Sequence, residues 1–192
     1  MRNLKTKRLA ALASAALLAL SACSGAGDTA GGDGVSTVHN GNETLASVLS
    51  DLDDSGTVRQ AIKDSGLAGI LDGSGVYSLL APNDAAFEAL GDDGKRLMED
   101  EQRPLMVALL REHILPGHIT PEAIDAAIEQ KGGEVEMTTL GGGTIAFKRD
   151  GDTLVATSPG GKVAHISGAA QAGSNGTVIP IDTVLVPAAT QN

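Results

Sequence analysis

The chain has 192 residues, a net charge of −10 and a hydrophobic share of 42%, the size and composition of one ordinary globular domain once a leader and a tether are set aside. Two Phe, one Tyr and no Trp leave the core to aliphatic side chains. The acidity excludes nucleic acid as a partner, because phosphate backbones are held by clustered Lys and Arg.

The N-terminus has the three parts of a secretion signal. Arg2, Lys5, Lys7 and Arg8 form a basic head, residues 9–20 an apolar run of Ala and Leu, and Leu20-Ser21-Ala22-Cys23 a small-residue end. Those last four residues match the bacterial lipobox, so Cys23 is expected to take a diacylglycerol and become the mature N-terminus. Removal of the four leader cations takes the net charge from −10 to −14. Two or more acyl chains anchor stably where one does not, which fixes the protein to a membrane. Ser24 after the cysteine favours the outer membrane if the bacterium has two. Cys23 is the only cysteine, so no disulfide or Cys-ligated metal site forms within one chain. From Ser24 to about Gly41 the sequence is Gly-rich and aperiodic, a flexible leash with a reach of about 20 to 25 Å. The expected organisation is a leader over 1–22, lipidated Cys23 and linker over 23–41, a domain over 42–188 and a tail over 189–192.

Within the domain, Leu45, Val48, Leu49 and Leu52 repeat at helical spacing, with Asn42 or Thr44 as the cap. Thr57-Val58-Arg59-Gln60 reads as a capping box for a second helix that Gly66 ends. Residues 76–80 are a nearly continuous apolar run before Pro82, suited to a central strand. Asn83 caps a brief helix carrying Phe87 and Leu90. Pro104 opens another with Leu105, Met106, Leu109 and Leu110 on one side, and Thr120-Pro121 opens a third. After Gly132-Gly133 the period becomes two, with strands expected near 134–140, 144–148, 153–157, 162–166 and 177–186, and Asp150-Gly151 as a hairpin turn. Helices first and a meander afterwards indicate an α+β fold: short N-terminal helices packed on a mostly antiparallel sheet.

Three segments in this order resemble the fasciclin-like (FAS1) domain. Residues 76–87, Val-Tyr-Ser-Leu-Leu-Ala-Pro-Asn-Asp-Ala-Ala-Phe, are similar to its first motif. Glu112-His113-Ile114-Leu115-Pro116-Gly117 resembles the Tyr-His-x-x-Pro-Gly motif, and residues 174–187 the final Asn-Gly-x-x-His-x-Ile-Asp-x-Val-Leu-x-Pro motif. The resemblance as a whole spans about 43–187. Glu112 stands where the family often has Tyr, Asn83 replaces the common Thr, and Ile179-Pro180 replace His-Val. Pro180 cannot donate to a ladder and implies an edge, a bulge or a break.

The resemblance implies an adhesion or interaction module that binds a protein or glycan, with Asn83, Asp84 and His113 as candidates for partner contact. Each also has a structural reading: helix capping for Asn83 and Asp84, and a local hydrogen bond at the helix-to-strand corner for His113. Pro82, Phe87, Pro116, Gly117, Asn175, Gly176 and Asp182 are read as structural, Asn175-Gly176 as a tight turn and Asp182 as a hydrogen-bonded carboxylate on an apolar strand. No cofactor or metal site is expected, since His39, His113, His118 and His165 are scattered. The sequence has no Gly-x-Ser-x-Gly elbow, phosphate loop or thiol nucleophile, which points away from an enzyme. A ligand carrier or enzyme with a pocket between helices and sheet, and a subunit of an envelope or sensory complex, are the alternatives. The oligomeric state is not legible.

Overall fold

The computed structural model describes residues 36–186, so the leader, Cys23 and most of the expected tether lie outside the described residues. The coil expected to run to Gly41 gives way earlier: Thr37–His39 is a strand, β1, which places His39 on a sheet rather than on the leash. Helix α1 (Leu45–Asp51) is capped by Thr44, whose hydroxyl accepts from Ser47 N–H. Helix α2 (Gly56–Ser65) ends at Gly66 with φ 77°, the left-handed conformation that glycine adopts without a Cβ penalty. A short α3 (Ala68–Leu71) precedes strand β2 (Tyr77–Pro82). Two brief helices follow, α4 (Asp84–Glu88) and α5 (Asp92–Leu97), then α6 (Arg103–Glu112), strand β3 (Ile114–Pro116) and α7 (Pro121–Lys131). Strands β4 (Val135–Thr138), β5 (Thr144–Asp150), β6 (Thr153–Thr157) and β7 (Val163–His165) form the meander; β8 (Ala170–Gly173) and β9 (Gly176–Ile181) close the described chain.

The strands make two sheets rather than one meander. The outer sheet runs β4-β5-β6-β7, antiparallel throughout. The central sheet is mixed, in the order β1-β8-β9-β2-β3, with β1 parallel to β8 and β2 parallel to β9. Sheets with parallel pairs are stable when both faces are covered, and side-chain alternation along β2 and β9 does this. Leu79, Ala81 and Val178 face one core with Leu45, Val58, Leu71 and Leu110 of the helices. Leu80, Ile179 and Ile181 face a second core with Phe147, Ile145 and Leu154 of the outer sheet and Ile124 of α7. The result is helices, central sheet, second core and outer sheet in layers.

Pro180 sits in β9, opposite Ala81 of β2. Its carbonyl accepts from Ser167 N–H at 2.9 Å, so its backbone polar atoms face away from β2, toward the side where β8 pairing has ended at Gln171–Val178. The missing N–H falls at a local edge, one of the three readings the sequence allowed. Leu105 departs from expectation: it is 52% exposed, outside the buried face formed by Met106, Leu109 and Leu110.

Candidate functional site

The residues singled out in the sequence converge on the helix-to-sheet junctions. Asn83 Oδ1 accepts from Ala86 N–H at 2.8 Å and caps α4. The next residue, Asp84, caps a different helix: its carboxylate accepts from Thr57 N–H at 2.7 Å and Gly56 N–H at 3.3 Å, the first turn of α2. The expected capping box at Thr57 is therefore corrected. Helix α2 starts two residues earlier, its flanking Ser55 makes no side-chain cap bond, and the orphan N–H groups go to a carboxylate 27 residues from Thr57. The Thr57 N–H bond lowers the Asp84 pKa, with further lowering from Gly56 N–H and Arg59 against the opposing effect of burial.

His113 is buried at the end of α6, with both ring nitrogens committed. Nδ1 lies 2.8 Å from the carbonyl of Leu109, and Nε2 accepts from Leu185 N–H at 3.0 Å. This pair of partners sets the neutral Nδ1–H tautomer. Burial pushes its pKa down to about 4, against smaller raising effects from the Leu109 carbonyl and Glu112. The imidazole presents no atom to a surface partner.

Asn175 does more than the tight turn read from the sequence. Its Oδ1 accepts from Leu45 N–H at 2.7 Å while Nδ2 donates to Leu71 O at 2.8 Å and Gly73 O at 2.9 Å, tying α1, α3 and the start of β9 together. Gly176 follows because a Cβ there would overlap the Tyr77 carbonyl. Asp182 lies just past β9 and is partly exposed rather than buried on the strand. It accepts from His165 N–H at 2.8 Å, the His165 ring at 2.9 Å and Thr183 Oγ1 at 3.0 Å. Its partial burial raises the pKa, and these bonds outweigh that, leaving it lowered. Beside the Ile166–Ile181 bridge, this cluster pins the outer sheet to the central one. Pro82 closes β2, Phe87 fills the helical core, and Gly117 N–H donates to Val76 O while its carbonyl accepts from Ser78 Oγ at 2.8 Å.

Glu112, in place of the family's frequent Tyr, has its own accommodation. Thr139 Oγ1 donates to its Oε2 at 2.6 Å, and any Cβ at Gly141 or Gly143 would overlap the carboxylate. At the centre of the turn Gly142 has φ 92°, the left-handed region that favours glycine, and the Glu112 carboxylate lies against Gly141 and Gly143 on either side.

The surface feature missed in the sequence is an open cleft of about 400 Å3 where the α1–α2 corner meets residues 167–171. Val48, Leu52 and Pro180 give it an apolar part. Glu43, Asp51, Asp53 and Asp54 give it an acidic rim with no basic lining side chain. Asp54, at φ 53°, turns the corner, and its carbonyl accepts from Asp84 N–H. The acidic run 51–54 was visible in sequence; that Asn40, Gln171 and Pro180 would complete the wall was not. Among the described residues no group of three or more His, Cys, Asp or Glu is placed to hold a metal ion, and no helix is long and apolar enough to cross a membrane.

The Fasciclin domain profile matches residues 53–187, through the first-motif strand, the Glu112–Gly117 corner and β9. The chain belongs to the Fasciclin domain family. The pig transforming growth factor-beta-induced protein ig-h3 is 32% identical over 154 residues, 80% of this chain but 20% of that protein. The protein sll1483 of Synechocystis is 32% identical over 149 residues, 77% of this chain and 69% of that protein. The chain thus spans about a fifth of its animal relative and over two thirds of its cyanobacterial one. In fold it is similar to a FAS1 domain pair from the insect cell adhesion molecule Fasciclin I. The TM-score is 0.53 at 22% identity, covering 68% of this chain and 45% of that one. The α+β Fasciclin fold expected from the sequence is the fold observed.

Proposed function

We infer that the protein is a lipid-anchored, non-enzymatic interaction module of the cell envelope, its fasciclin domain held at a membrane through Cys23 and engaging a protein or glycan partner. Family membership supports the interaction role, and the lipobox Leu20-Ser21-Ala22-Cys23 supports the anchor. The observation that carries the non-enzymatic part is the fate of the candidate polar residues. Asp84, His113 and Asn175 spend their hydrogen-bonding groups on backbone atoms that hold the fold, Asp182 is taken up by His165 and Thr183, and Asn83 Oδ1 caps α4 while the residue also lines the cleft at the α1–α2 corner. The region between helices and outer sheet, where a ligand carrier would keep its pocket, is filled by Leu80, Leu115, Ile124, Phe147 and Ile179. The cleft at the α1–α2 corner is the concave surface on which we place the contact.

The test is photo-crosslinking in intact cells, with the crosslinker at exposed Asp51 on the cleft rim and, separately, at exposed Lys162 before β7. A discrete adduct from position 51 that is absent from position 162 supports the reading. Equal labelling from both positions, or none from position 51, contradicts the assignment to the cleft.

A further inference from the structure

The domain contains two Asn-Gly pairs, Asn40-Gly41 and Asn175-Gly176, and the fold treats them oppositely. Asn-Gly is the sequence in which an asparagine side-chain amide is most readily attacked by the following backbone nitrogen, because glycine has no Cβ to shield that nitrogen. Asn175 is buried, its amide held by three hydrogen bonds, and Gly176 lies against the Tyr77 carbonyl. Asn40 is only half-buried at the end of β1, its amide held by one bond, Nδ2 to Gln171 Oε1 at 3.0 Å. Gly41 is exposed, at φ 62° in the turn that Glu43 N–H closes onto Asn40 O. Among the described residues its N–H donates to no other group.

We propose that Asn40 is a site of spontaneous modification, converting to aspartate or isoaspartate while Asn175 is protected in the same chain. In the first step the Gly41 nitrogen attacks Asn40 Cγ. The new C–N bond closes a succinimide, the Cγ–Nδ2 bond breaks, and the amide group leaves as ammonia with the proton lost from Gly41. Water then opens the ring at either carbonyl, giving aspartate or, with the main chain rerouted through the side chain, isoaspartate.

The site is placed where the product has a structural consequence. The donor to Gln171 is lost in both products, and isoaspartate adds a methylene to the main chain directly beside the Asn40 N–H to Ala172 O bond. Strand β1 has only three residues and lies at the edge of the central sheet. Besides its backbone bonds to β8 and the Asn40–Gln171 contact, it is held by Thr37 Oγ1 donating to Glu122 at 2.7 Å. Conversion therefore loosens the strand and lengthens the untied segment that precedes α1.

The experiment is peptide mapping by mass spectrometry of the leaderless chain held at neutral pH and 37 °C. The expected result is a one-dalton gain at Asn40 accumulating about thirtyfold faster than at Asn175, the ratio set by two fewer hydrogen bonds to break. In a parallel sample unfolded in urea the two sites are expected to convert at equal rates, since the difference comes from the fold. Equal conversion in the folded sample, faster conversion at Asn175, or a rate contrast that survives in urea would each overturn the proposal. In the Asn40→Asp protein, Ala170 N–H, which donates to Ser36 O, is expected to exchange with solvent severalfold faster than in the parent. An unchanged rate would overturn the claimed loosening of β1.

Discussion

Replacing Asn175 removes one side chain and three long-range hydrogen bonds. In Asn175→Ala, Leu45 N–H at the start of α1 loses its acceptor, and the carbonyls of Leu71 and Gly73 lose their donor. Leu45 and Leu71 are fully buried, so water does not replace these partners without opening the junction. At about 1 kcal/mol for each buried group left unsatisfied, and less for the part-buried Gly73 carbonyl, the loss is about 2 to 3 kcal/mol, roughly 5 to 10 °C in Tm for a domain of this size. Asn175→Asp is the sharper variant. It keeps an acceptor for Leu45 N–H but turns a carboxylate oxygen toward two carbonyl oxygens. That arrangement raises its pKa above the unfolded value, so the folded state is favoured below the unfolded pKa and this advantage is lost as pH rises. The assay is urea unfolding at pH 7 and pH 4 for parent, Ala and Asp proteins. Asp is expected to be no better than Ala at pH 7 and to gain on it at pH 4. A loss below about 0.5 kcal/mol for Ala, or an Asp variant as stable as the parent at pH 7, would refute the reasoning.

His113 is held neutral with a pKa of about 4, below its ordinary 6.5, so the unfolded chain binds more protons between those values. Stability from this group is fully present above pH 6.5 and falls by about 3 kcal/mol as pH drops to 4; His113→Gln should flatten that part of the urea-midpoint profile, and an NMR titration of the native imidazole near 6.5 would disprove it. Asp84→Asn leaves the size of the cap but removes the charge at the α2 N-terminus. It should cost about 1 kcal/mol at pH 7, with the gap to the parent closing as pH falls through the lowered Asp84 pKa. Gly176→Ala places a methyl group into the Tyr77 carbonyl and should destabilise by about 3 kcal/mol or more, read as a fall in Tm. A chain beginning at Gly41 lacks β1 and its bonds to Ala170 and Ala172, and should melt a few degrees below one beginning at Ser36.

What the sequence revealed and what it concealed divide along the range of the interaction. Caps that a helix makes with its own neighbours were legible: Asn83 for α4, Thr120 with Pro121 for α7, Gly66 at the end of α2. The α2 cap was not, because its acceptor, Asp84, is reached through a strand and a turn rather than along the helix. Strands with alternating apolar residues, β4 to β7, were placed within a few residues. By contrast, β1, β3 and β8 are three or four residues long, and β8, Ala-Gln-Ala-Gly, has too little side chain to carry a period. Leu105 followed the helical spacing yet faces outward, since α6 is covered along one stripe only. Of the candidate residues, the local roles were legible, the Asn83 cap and the bond of His113 to the end of α6, but the long-range ones were not: only the fold shows His113 Nε2 taken by Leu185 and the Asn175 amide tied to α1 and α3.

The central claim, a fasciclin interaction module anchored through Cys23, is tested most directly by metabolic labelling of intact cells with a clickable palmitate analogue, for the parent and Cys23→Ser. The account predicts label on the parent at the mass of a chain that starts at Cys23, and an unlabelled, uncleaved precursor for Cys23→Ser. An unlabelled parent, or label and cleavage that persist in Cys23→Ser, would contradict it.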